Sequence, residues 1–68
     1  MEYIKVSFRE QRRVLADGTE IGDTNKTLKV QRASYTITLS GDPDYLPPSQ
    51  DVTVAGTDKD NPMAIEFA

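Results

Sequence analysis

The chain has 68 residues, a formal net charge of −3, 28% charged residues of both signs, and neither cysteine nor histidine. A chain this short is one domain or a piece of one, burying only about 60% of its unfolded surface on folding. Disulfides and soft-metal sites are excluded with the missing residues, and the mildly acidic balance lacks the basic excess that nucleic-acid binding needs.

Along the chain, apolar residues recur at period two, which is the signature of strands with one buried face. Ile4, Val6 and Phe8 alternate with Tyr3, Lys5, Ser7 and Arg9. Val14 and Ala16 keep that parity across the polar stretch Glu10 to Arg13. The stretch reads equally as the middle of one long strand or a break between two. Next come Leu28 and Val30, then Tyr35, Ile37 and Leu39, then Val52 with Val54, and Ile65 with Phe67. A helix near Glu10 to Leu15 would lack a capping residue.

The punctuation agrees with strands. Asp17-Gly18 between alternating runs predicts a two-residue type I′ hairpin, because both central positions of that turn need positive φ. Gly22-Asp23-Thr24-Asn25 and Ser40-Gly41-Asp42-Pro43-Asp44 are further turn clusters. Leu46-Pro47-Pro48-Ser49 cannot enter a sheet ladder, and Ala55 to Pro62 forms the last loop. The spacing predicts one all-β domain over residues 1–68, a small sandwich or barrel, and of these an immunoglobulin-like sandwich of six or seven strands is the expected fold. Residues 1–13 either belong to it or form an added strand or arm. The expected core is Ile4, Val6, Phe8, Val14, Ile21, Leu28, Val30, Tyr35, Ile37, Leu39, Val52, Val54, Ile65 and Phe67.

Val14-Leu15-Ala16-Asp17-Gly18 followed by Ile21-Gly22-Asp23-Thr24 resembles the opening of a PEGA domain. Thr27 to Val30, Tyr35 to Leu39, Tyr45 and Val52-Thr53-Val54 stand where that family places its later strands and its tyrosine. The likeness spans roughly Arg12 to Phe67, with Asn25 in place of the family's proline and Arg32-Ala33-Ser34 in place of its glycine. It implies a small, non-enzymatic sandwich used as an adhesion or spacer module of envelope or surface proteins.

Several groups invite chemistry. Asp17, Glu20 and Asp23 could hold calcium, but Thr19 and Ile21 fall where an EF-hand register needs ligands. The simpler reading has Asp17 accepting backbone hydrogen bonds in its own turn and Glu20 solvated. Asp58-Lys59-Asp60-Asn61 likewise reads as a loop tip before a calcium cup. Paired carboxylates with no pocket to shift their pKa values make poor acid–base catalysts, so no enzyme activity and no cofactor are expected. Lys5, Arg9, Arg12 and Arg13 form the one basic cluster, and are expected to cover the outer face of an edge strand.

Two binding surfaces remain. Tyr3, Lys5, Ser7 and Arg9 would lie on a spare N-terminal edge strand, open to a protein partner or a second copy. Alternatively, Asp42, Asp44, Tyr45 and Gln50 would form a carbohydrate-binding loop, with Tyr45 stacking on a sugar. Against that stands the packing of the Tyr45 ring into the end of the sandwich, its hydroxyl at the surface. No nucleic-acid partner or membrane insertion is expected, since no window approaches the roughly 20 apolar residues of a span. The polar alternation of the N-terminus does not make a signal peptide, which reads as cytoplasmic by default and as extracytoplasmic if the chain is a fragment.

Overall fold

The computed structural model describes residues 1–68 and contains seven strands. They are β1 (Glu2–Ser7), β2 (Arg13–Ala16), β3 (Thr19–Asp23), β4 (Thr27–Val30), β5 (Ala33–Leu39), β6 (Gln50–Val54) and β7 (Met63–Glu66). One sheet has the order β4-β1-β7 and the other β3-β2-β5-β6. The protein is therefore a small all-β sandwich with no helix.

Alternation decides what lies between the sheets. Ile4, Val6, Val14, Ile37 and Val54 are fully buried, joined by Phe8, Ala16, Val30, Leu39, Ile65 and Phe67. Ile21, Leu28, Tyr35 and Val52 pack against this cluster from half-buried positions, as do Tyr45 and Met63. Ala16, Tyr45 and Met63 lie outside the core expected from the sequence.

The polar stretch Glu10 to Arg13 is a break, and the strands on either side of it belong to different sheets. This corrects the picture of β1 as a spare edge strand or arm. It is the central strand of its sheet, antiparallel to β4 and parallel to β7. Its backbone is paired on both sides, and Ile4 and Val6 are completely enclosed. Tyr3, Lys5 and Ser7 thus lie on the solvent face of a doubly paired strand, and Arg9 lies beyond its end.

The Asp17-Gly18 turn has φ values of 53° and 82°, the type I′ geometry predicted for it. On its far side β3 carries a bulge. Val14 faces Gly22 while Leu15 faces Glu20, which leaves Ile21 as the extra residue. The bulge shifts the parity, so both Ile21 and the later Thr24 turn toward the core. Gly22 has a φ of 157°, which L side chains rarely adopt, and the Leu28 side chain occupies the place of its absent Cβ. Gly22→Ala should therefore cost about 1–3 kcal/mol in chemical denaturation, since backbone and Leu28 must both move.

Thr24, the one buried polar residue, ties the turn between β3 and β4 to the connection between β1 and β2. Its hydroxyl accepts from the Arg12 N–H at 2.9 Å and donates to the Glu10 carbonyl at 2.9 Å. Beside it, Asn25 has a φ of 63°, donates its N–H to the Val6 carbonyl at 2.6 Å and accepts the Phe8 N–H at 3.1 Å. Proline, with φ near −65° and no N–H, could do none of this.

Candidate functional site

The loop from Ser40 to Ser49, between β5 and β6, carries the residues of the alternative, carbohydrate-binding reading. Tyr45 and Asp44, its two central candidates, are committed to the fold. The Tyr45 ring meets Phe8 and Phe67 edge to face, with centroids 6.1 and 5.3 Å apart. Its hydroxyl is tied to the backbone of β5. It accepts from the Leu39 N–H at 3.2 Å and donates to the Leu39 carbonyl at 3.0 Å. The reason lies in the ladder. β5 pairs with β6 only as far as Ile37 opposite Gln50, so the backbone of Leu39 faces a place where β6 no longer runs. Tyr45 completes both orphaned groups, and it is not a free stacking platform.

Asp44 is equally engaged. Arg12 holds it through both carboxylate oxygens, at 2.8 and 3.0 Å, and Arg9 adds a contact at 3.0 Å. Arg12, whose side chain is only 12% exposed, also donates to the carbonyls of Ser40 and Asp42. Both guanidinium groups lie over the Phe8 ring, at 4.5 and 5.3 Å. Arg9 and Arg12 of the basic cluster thus pin this loop across the end of the sandwich. Arg13 pairs with Glu20 and Asp23 on the neighbouring strand. The Gln50 amide donates to the Glu66 carbonyl at 2.6 Å, and Asp42 is exposed and makes no ion pair.

Burial would raise the Asp44 carboxyl, but the hydrogen bonds and charge of Arg12, with Arg9 behind it, outweigh this and hold it below the usual range. Glu2 is lowered too, by hydrogen bonds from the hydroxyl and N–H of Thr57 at 2.6 and 2.9 Å. A carboxyl lowered in the folded state stabilises fully above its unfolded pKa, and that contribution is lost as pH falls through the folded value. Thermal melts should therefore hold steady from neutral pH to about 4 and drop below it. Asp44→Asn should be less stable at neutral pH and show a shallower acid loss.

The acidic group of the opening hairpin does not converge. Asp17 accepts the Thr36 N–H from β5 at 2.9 Å, a longer-range partner than its own turn. Glu20 and Asp23 both turn to Arg13. At the other end, Asp58 accepts the N–H groups of Asp60 and Asn61, each at 2.9 Å, which closes the loop tip on itself.

What the molecule leaves open is a sheet edge. Four strands lie at edges, and three are guarded by devices that discourage strand addition. β3 is bulged and laced to Arg13. β4 is four residues long, carries Lys29 and follows Lys26. β7 is also four residues long and has its Glu66 carbonyl capped by Gln50. β6 differs. It runs five residues in unbroken register against β5, with no lysine, arginine or proline.

The direction of its free groups follows from β5. The Thr36 N–H and carbonyl both bond to Asp17, away from β6. Its partner Asp51 is then a non-hydrogen-bonded pair, and the N–H and carbonyl of Asp51 point outward. Two residues on, Thr53 repeats the pattern opposite Ser34. On the solvent face above them, Thr36 donates to Asp51 at 2.8 Å, and the Ser34 and Thr53 hydroxyls meet at 3.0 Å. Alternation alone could not reveal this edge, because it does not say which strands are neighbours. Comparison with family models, with curated proteins and with solved structures finds no match.

Proposed function

We propose that the protein is a non-catalytic protein-interaction module that accepts an extended segment of a partner along β6. The observation that carries this reading is the unguarded edge, with the backbone groups of Asp51 and Thr53 facing solvent in ladder geometry. An added strand gains main-chain hydrogen bonds there without any rearrangement of the sandwich. The role agrees with the non-enzymatic adhesion or spacer function that the PEGA-like pattern implies. The glycan reading loses its main support, since Tyr45 and Asp44 hold the fold together.

The test is a titration of isotope-labelled protein with short, end-blocked, strand-forming peptides, followed through amide shifts. Shifts centred on Asp51 and Thr53 are expected. Thr53→Pro removes an outward N–H and no backbone bond to β5, losing only the exposed hydroxyl contact with Ser34, so it should keep the fold and abolish the shifts. Peptidoglycan fragments and oligosaccharides serve as the opposing probes. Shifts from these clustered on Asp42 to Gln50, with none on β6 from peptides, would overturn the proposal.

A further inference from the structure

The charge of the chain is divided unevenly along its length. Residues 1–39 hold seven lysines and arginines against five carboxylates, whereas residues 40–68 hold six carboxylates against one lysine. The open edge belongs to the acidic part, and neither β6 nor its neighbour β5 contains a basic residue. Asp51 is one of the two residues whose backbone groups face outward along that edge. One of its oxygens accepts the Thr36 hydroxyl, and its carboxylate has no ion-pair partner in the chain.

A second carboxylate lies two strands further in. Asp17 flanks Thr36 from the β2 side and is likewise outside every ion pair. A shallow cleft of about 340 Å³ runs over this surface from Asp17 across Ser34 and Thr36 to Asp51 and Thr53. Two neighbouring strands are about 4.8 Å apart, so Asp17 and Asp51 stand about 10 Å from one another on one face. That is within reach of one Debye length at moderate salt.

We infer that the segment taken up along β6 is basic, an extended stretch whose alternate side chains are lysine or arginine. This rests on the strand-addition reading and names the partner's chemistry. In an added strand every second side chain lies on the face of Asp51 and Thr53, and the residue opposite Asp51 has its Cβ about 5 Å away. A lysine or arginine there pairs with the free Asp51 oxygen, and its charge also lies in the field of Asp17. An acidic side chain at the same place meets like charge directly opposite, which is unfavourable.

The inference is tested with three end-blocked seven-residue peptides in which valine alternates with lysine, threonine or glutamate. All are titrated into labelled full-length protein at low salt. The lysine peptide should shift the Asp51 and Thr53 amides and bind about fivefold more tightly than the threonine peptide, with the glutamate peptide weakest. Asp51→Asn should bring the lysine peptide down to the threonine peptide's affinity, as should about 0.5 M salt.

Equal affinities for the lysine and threonine peptides would overturn the charge inference and leave strand addition standing. Absence of shifts on β6 from all three would overturn both. Concentration-dependent shifts of Asp51 and Thr53 without peptide would assign the edge to a second copy and overturn the basic partner.

Discussion

Tyr45→Ala is expected to leave the chain largely unfolded at ambient temperature. The ring joins Phe8 and Phe67 across the end of the sandwich, and truncating such an aromatic costs about 3 kcal/mol even from a half-buried position. The Leu39 N–H and carbonyl lose their partner as well. A chain of this size has only about 3–10 kcal/mol of total stability. Tyr45→Phe separates the two effects. It keeps the ring contacts and should cost about 1–3 kcal/mol, the loss of the hydroxyl that serves Leu39. Urea denaturation followed by far-ultraviolet circular dichroism reads both. A Tyr45→Phe variant as stable as the parent would show that the hydroxyl contributes nothing to the fold.

The second large effect is expected at Thr24. Thr24→Val keeps the shape of the side chain and removes the hydroxyl that bonds the Arg12 N–H and the Glu10 carbonyl. The expected loss is about 2–3 kcal/mol, because both backbone groups are left partly buried and unpaired. Thr24→Ser retains the two bonds and gives up one methyl, about 1 kcal/mol. The diagnostic result is the order, with serine milder than valine. If valine were the milder substitution, Thr24 would be filling space and not tying its turn to the connection between β1 and β2.

These two residues mark where the amino-acid pattern stops being informative. Local features were legible. Asp17-Gly18 announces its turn because the preference for positive φ is written into two adjacent residues. The core positions of β1, β5 and β6 follow from strict alternation, which needs no knowledge of neighbours. Thr24 was hidden by the bulge at Ile21, a one-residue shift that breaks the parity between Thr19 and Thr24. The clue present in the sequence was Gly22 next to an apolar residue within a short strand.

Long-range features were not legible. Tyr45 reads either as a stacking residue of a polar loop or as a ring packed into the end of the sandwich. The ring does pack there, and what the pattern does not give is the bond of its hydroxyl to Leu39. Its actual task follows from β5 outrunning β6, a difference in strand length that no local signal records. β1 was expected at an edge because it precedes the stretch that resembles a known family. Its place between β4 and β7 rests on a parallel pairing across more than 50 residues of chain. A central strand with one solvent face has the same alternation as an edge strand, so the pattern does not distinguish them. The open edge of β6 was missed for the same reason.

Exchange with deuterated water, residue by residue, reads the open edge of β6 without any partner. In β6 the amides of Gln50, Val52 and Val54 face β5, and those of Asp51 and Thr53 face outward. The account predicts an alternating pattern, with Asp51 and Thr53 exchanging rapidly and Val52 and Val54 protected by the ladder. Protection of Asp51 and Thr53 in the dilute, monomeric protein would mean that this edge is already paired or covered, and the strand-addition account would not stand.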